Sequence, residues 1–200
     1  MKLGMVTGIL ALAGVVMISG CRTPQGRIMG EEEQDYVGAK TAGSATFDRL
    51  IEETVTKLLN RQSAAQRALG QLKVAFLGVE NKSIEDLGDF QEQIYEQIDT
   101  SINNSNRYRT VSDRFVNAAL RDTRLRAEEL FLPKQRREFI QTLEASGNPV
   151  EFLLFAKLTS GTTRGDDVKQ RAYMLTLELV DVETGFNDKE STRVRKAYTK

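Results

Sequence analysis

The sequence predicts an α+β domain built on a single mixed sheet of about five strands with helices packed on it. Two observations carry that expectation. After one leading helix, strand and helix periodicities alternate through residues 73–147 in a βαβα order. Residues 150–198 then hold three extended segments separated by turn-forming clusters, and separations that short favour antiparallel hairpins.

The leading helix is read from Phe47, Leu50, Ile51, Thr54, Val55, Leu58 and Leu59, which repeat at three-and-four spacing with Asp48, Arg49, Glu52, Glu53 and Lys57 opposite. Ser44 or Thr46 is placed to cap it and Gly70 to stop it. Its apolar stripe must dock, on the domain's own sheet or on a partner. Lys73-Val74-Ala75-Phe76-Leu77-Gly78-Val79 is a near-continuous apolar run, which suits a central strand covered on both faces. Phe90, Ile94, Ile98 and Ile102 recur at four-residue steps on the next helix, which ends in Asn103-Asn104-Ser105-Asn106. Tyr108 to Ser112 forms a short strand, and Asp113 caps a helix carrying Phe115, Val116, Ala119 and Leu120. Pro133 opens another helix, through Phe139, Ile140 and Leu143 to a stop at Gly147.

In the back half the strands are Val150 to Leu158, Lys169 to Val182 and Ser191 to Tyr198, joined by Gly161 to Asp167 and by Glu183 to Asp188. Tyr173, Leu175, Leu177 and Leu179 make one uniformly hydrophobic face, against Met174, Thr176, Glu178 and Val180 on a mixed one. That is the pattern of a half-exposed sheet surface.

Residues 1–20 have a separate organisation. Lys2 supplies a positive charge, Leu3 to Ile18 is apolar or small, and Ile18-Ser19-Gly20-Cys21 closes the segment. This is the layout of a secretory signal, shorter than the roughly 20 residues that span a bilayer core comfortably. The closing residues resemble the bacterial lipobox with Ile18 in place of leucine. The resemblance implies removal of residues 1–20 and lipidation of Cys21, whose multiple acyl chains, palmitate among them, would hold the protein at a membrane. Arg22 follows, where an aspartate favours inner-membrane retention in enterobacterial lipoproteins, so the outer membrane is expected. Residues 21–45 read as the lipidated cysteine and a flexible tether, with Pro24, several glycines and Glu31-Glu32-Glu33 but few large apolar side chains. The folded domain is then expected over residues 46–200.

Composition removes several classes of chemistry. Among 200 residues there are no histidines, no tryptophans and one cysteine. Triads that need histidine, the commonest metal ligand and an internal disulfide are thereby excluded. Basic and acidic side chains balance at 28 each, which argues against a dedicated nucleic-acid binder. Asp166-Asp167 and Asp181 with Glu183 lie at turns and match no calcium-loop pattern. Gly161 and Gly165 lack the sequel of a phosphate loop. No enzyme activity, cofactor or metal is expected.

Two basic regions are the candidate partner-binding sites. Arg193, Arg195 and Lys196 lie near the end of the last strand, with Arg193 and Arg195 on one face by period two. They suit an acidic partner or anionic wall polymer, although charge on a terminal strand also guards against edge-to-edge aggregation. Arg121, Arg124, Arg126, Lys134, Arg136 and Arg137 surround Leu130-Phe131-Leu132. Phe131 is either an exposed anchor flanked by arginines or a lid over the core.

The order of elements resembles the LpoB type of outer-membrane lipoprotein that activates penicillin-binding proteins. The matching pieces are the lipobox, the tether, the amphipathic helix, Lys73 to Leu77 leading into Asn81-Lys82-Ser83, Tyr108 to Ser112, and Asp181-Val182-Glu183-Thr184-Gly185 leading into Arg195-Lys196-Ala197. The chain differs in its short tether and in lacking a tryptophan near Asn187. The resemblance implies a periplasm-facing, lipid-anchored outer-membrane protein whose partner is a peptidoglycan synthase, a penicillin-binding protein. A broader likeness to the amino-terminal domain of TolB and to the curli-secretion lipoprotein CsgG implies an alternative, a structural component of an outer-membrane secretion or envelope-assembly machine.

Overall fold

A computed structural model describes residues 42–61, 70–164 and 168–199. The expected signal, Cys21, nearly all of the tether and residues 165–167 lie outside them. Helix α1, Ser44–Asn60, begins after Gly43, whose carbonyl accepts from Thr46 N at 3.0 Å, so neither Ser44 nor Thr46 is the cap. The predicted stripe is the buried one, from Phe47 through Leu58. Thr54 sits within it without cost to the packing, because its hydroxyl donates to Leu50 O at 2.5 Å. Gly70, with φ +85°, leads into β1, and residues 62–69 between it and α1 lie outside the described residues.

Strand β1, Leu72–Lys82, runs three residues beyond the predicted apolar segment. Helix α2, Phe90–Asn104, buries Ile94, Ile98 and Ile102, while Phe90 at its start is partly exposed and meets Phe47 with ring centroids 5.7 Å apart. Tyr95 of α2 stacks on Phe76 of β1 at 4.4 Å. Burial, followed by the negative charge of Asp99, raises the pKa of its hydroxyl above the ordinary tyrosine value.

Strand β2 is only Tyr108–Thr110, although Val111 N still donates to Val74 O at 2.9 Å. Ser112 takes the N-cap position that Asp113 was expected to fill, and α3 covers Asp113–Thr123. A single 3-10 turn, Ala127–Phe131, precedes α4, Pro133–Ala145. Proline opens α4 in its first turn, as its missing N–H allows. Gly147 closes it at φ +78°, donating to Glu144 O while Asn148 N donates to Leu143 O, both at 2.9 Å.

Of the remaining strands β3, Phe152–Arg164, and β5, Asn187–Thr199, are longer than predicted, whereas β4, Val168–Asp181, has the predicted length shifted by one residue. Gly161 to Arg164 and Asn187 with Asp188, expected in turns, are laddered in strands. Their backbone partners on β4 continue to the ends of that strand, and ladder bonds outweigh local turn preference.

The sheet order is β2-β1-β3-β4-β5, with β1 parallel to β2 and β3, and with the β3–β4 and β4–β5 pairs antiparallel. The fold is therefore α+β on one mixed five-stranded sheet. The connection from β1 to β2 runs one way along the sheet and that from β2 to β3 runs back past β1, which puts their helices on opposite faces. Helices α1 and α2 cover one face over Val74, Phe76, Leu154, Leu158, Tyr173 and Leu175. Helices α3 and α4 cover the other over Ala75, Leu153 and Val180. Each aliphatic side chain sealed in these layers contributes roughly 1.5–3 kcal/mol relative to exposure. No helix among the described residues is long and apolar enough to cross a membrane.

Candidate interaction surface

The two faces of the sheet are covered unequally. On the α1–α2 side Tyr173, Leu175, Leu177 and Leu179 are all buried, as their alternation predicted. On the α3–α4 side the helices reach only the first rungs of β3, β4 and β5. Beyond Leu153 and Val180 the cross-strand rows are Phe155–Glu178–Lys189, Lys157–Thr176–Ser191, Thr159–Met174–Arg193 and Gly161–Ala172–Arg195. Most of these side chains are half-buried or exposed, and the β5 members are all exposed.

Phe131 stands at the helix-covered end of this open face. Its ring stacks on Phe155 at 4.4 Å while it remains 46% exposed, so it is both a lid and an accessible aromatic. Behind it, Glu178 accepts from Lys189 Nζ at 3.2 Å and from Asn187 Nδ2. Thr176 and Ser191 share a hydroxyl bond of 2.9 Å. Lys157, Arg193 and Arg195 form no ion pair with another described residue. The face is thus an aromatic platform followed by cations that are not ion-paired with another described residue.

The structure gathers some of the sequence-predicted site residues and separates others. Arg193 and Arg195 are exposed on the open face. Lys196 is not with them: strand alternation turns it to the α1 side, where it is half-buried and engaged with a neighbour. Arg136 is not on the surface at all but is 9% exposed, packed against the β4–β5 turn. A sequence signal for this exists, since Arg136 precedes Phe139, Ile140 and Leu143 by three, four and seven residues and so shares their face. Phe186, 81% exposed in that turn, and Lys157 were not singled out from the sequence. Cys21 lies outside the described residues. Among those residues no group of three or more metal-ligating side chains could hold an ion.

The model of the peptidoglycan-synthase activator LpoB family matches residues 46–187. The LpoB carboxy-terminal domain of Salmonella enterica superposes with a TM-score of 0.52 at 15% identity, covering 74% of this chain and 97% of that one. The corresponding Escherichia coli domain gives 0.50 at 15% identity, covering 73% and 97%. At that identity the superpositions speak for the fold. No curated protein sequence matches the chain. A family match spanning α1 to the start of β5, on a sheet with the family's architecture, makes this chain a member of the LpoB family of peptidoglycan-synthase activators.

Proposed function

We infer that the chain docks on a peptidoglycan synthase of the penicillin-binding-protein type and raises its activity, as an outer-membrane lipoprotein facing the periplasm. Its own role is regulatory: it supplies no catalytic group and needs no cofactor. The observation that carries the docking is the open face of β3, β4 and β5, where Phe131 on Phe155 is followed by Lys157, Arg193 and Arg195, none of them ion-paired with another described residue. An aromatic anchor beside unpaired arginines is the composition of an interface centre, and the positive field would steer an acidic partner surface. Activation follows if the synthase's active conformation binds this face more tightly than its inactive one.

Anchoring is assigned to Cys21 after removal of residues 1–20, with 21–45 as the tether and 46–200 as the folded domain. The residues between Cys21 and α1, 22–43, would average roughly 26 Å as a flexible coil. The domain would work close to its membrane.

Mixing the purified domain with the organism's bifunctional synthases should give co-purification with at least one of them and a raised transglycosylase or transpeptidase rate. Arg193→Glu with Arg195→Glu should weaken that binding at least tenfold, and remove much of its salt dependence. No binding and no rate change across the full set would sink the docking role. Separately, Cys21→Ser should abolish acylation and lipoprotein-type processing; unchanged processing would refute the anchor.

A further inference from the structure

The outer edge of β5 is a strand-pairing edge that the sheet does not use. β5 ends the sheet, and where its hairpin with β4 closes, Asp181 N donates to Phe186 O at 2.9 Å. Beyond that bond the register runs without a shift from Val180–Asn187 to Val168–Thr199. Antiparallel bonding alternates, so the even-numbered residues of β5 bond to β4 and the odd-numbered ones turn N–H and C=O outward. Lys189 belongs to the outward row, and its carbonyl accepts from Arg61 Nη1, just past α1, at 3.2 Å. Farther along, the outward N–H and C=O groups of Ser191, Arg193 and Arg195 meet no other described residue.

Proteins ordinarily blunt such an edge with a short strand, a bulge, a proline or charge. β5 is 13 residues long, holds no proline and pairs without a bulge, which leaves charge alone. That charge is of one sign and on one side. Arg193 and Arg195 are exposed on the open face, with the neutral Met174 and Ala172 as their neighbours on β4. Val194, between them, faces the other way and packs against the core on the α1 side. A second copy of β5 laid on this edge would set arginine against arginine, whereas a strand with carboxylates at alternate positions would find a cation opposite each.

We propose that β5 receives an acidic strand of the partner protein, which extends the sheet. The backbone of the added strand pairs with the outward groups of Ser191, Arg193 and Arg195. Two of its acidic residues, one position apart, lie opposite Arg193 and Arg195, and the apolar residue between them rests beside Val194. Main-chain bonds hold the segment, and the arginines select it. This assignment rests on the docking role inferred above and specifies how the arginines of the open face are engaged.

The test is amide hydrogen exchange, resolved residue by residue, in the full-length protein alone and bound to a synthase. Alone, Ser191, Arg193 and Arg195 should exchange fast and Thr192 and Val194 slowly, since only the latter two bond to β4. In the complex the three fast amides should slow about tenfold or more. A complex that responds to Arg193→Glu with Arg195→Glu yet leaves these amides fast would overturn strand addition and leave the docking role standing. Slow exchange of the three in the free protein would also overturn it, because the chain itself or a second copy would already cover the edge. Ser191→Pro gives a separate readout. The N–H it removes points outward, where an edge strand tolerates proline, so its unfolding midpoint should stay close to that of Ser191→Ala while its synthase binding is about tenfold weaker. Equal affinities of those two variants would overturn the proposal. If no synthase binds the wild type, the docking role falls, and a capped hexapeptide of alternating glutamate and valine decides alone. At millimolar concentration it should slow the same three amides, and its lysine–valine counterpart should not. No slowing by the glutamate peptide overturns the proposal, as does equal slowing by both.

Discussion

At one end of β4, Arg171 Nη1 donates to Glu85 Oε1 at 2.6 Å, and the buried Tyr173 hydroxyl donates to the same oxygen at 2.7 Å. Beside the other end, Arg136 is withdrawn from solvent and forms no ion pair with another described residue. The two side chains are of one type and comparable burial, yet one meets a carboxylate and the other packs against the β4–β5 turn with no ion pair to another described residue. Arg171 and Glu85 tie the loop after β1 to β4, a purely internal task. Arg136 borders an exposed aromatic and an open sheet face. A buried charge inside a closed network therefore reads as architecture.

The sharpest way to break this contrast is Glu85→Ala. Removing the carboxylate that Arg171 and Tyr173 share should lower unfolding free energy by about 3 kcal/mol in urea titrations. A loss below about 1 kcal/mol would put both arginines in the same class. Gly185→Ala probes the other end: with φ at +77° and Nη2 2.8 Å from the new Cβ, it should cost about 1–3 kcal/mol and move Arg136. A neutral result would mean the guanidinium is not held there. Phe131→Ala, which removes the ring stacked on Phe155, should cost about 1 kcal/mol of stability while weakening synthase binding more than that, so comparing unfolding with calorimetric titration separates lid from anchor. Smallest in stability is Arg193→Glu with Arg195→Glu, expected within about 0.5 kcal/mol of wild type because both side chains are exposed and form no ion pair with another described residue. A larger change would assign those arginines to the fold.

How much could be read in advance follows the strength of periodic signals. The β4 alternation placed Tyr173, Leu175, Leu177 and Leu179 inward, and the four-residue steps of α2 placed Ile94, Ile98 and Ile102, because both periods repeat several times. Strand ends were less legible. Gly161, Thr162 and Thr163 look like turn residues, but pairing with Ala172, Arg171 and Gln170 across β4 keeps them extended. For the surface, the period of two places Arg193 and Arg195 together on the open face and turns Lys196, their neighbour in sequence, to the α1 side. Arg136 was hidden by its basic neighbours, since a cluster in sequence invites a cluster in space. The open face itself depends on how far α3 and α4 extend across three strands, a tertiary property that no local window contains.

The irregularity in β1 has a larger reach than its size suggests. Phe76 pairs with Leu154 and Val79 with Ala156, so Leu77 and Gly78 together stand opposite Phe155. Gly78 takes φ +101° there, which glycine adopts without strain. The inserted residue acts as a phase shifter: Phe76 and Val79, three apart, fall on the same side of the sheet, where strict alternation would have opposed them. Everything downstream inherits that phase. Asn81, whose Oδ1 accepts from Ser83 N at 2.9 Å and whose Nδ2 donates to Glu85 O at 2.9 Å, is thereby aimed to shape the loop that delivers Glu85 to Arg171. Deleting Gly78 would invert the second half of β1 and send that loop to the opposite side, so one glycine sets the handedness of an ion pair seven residues later.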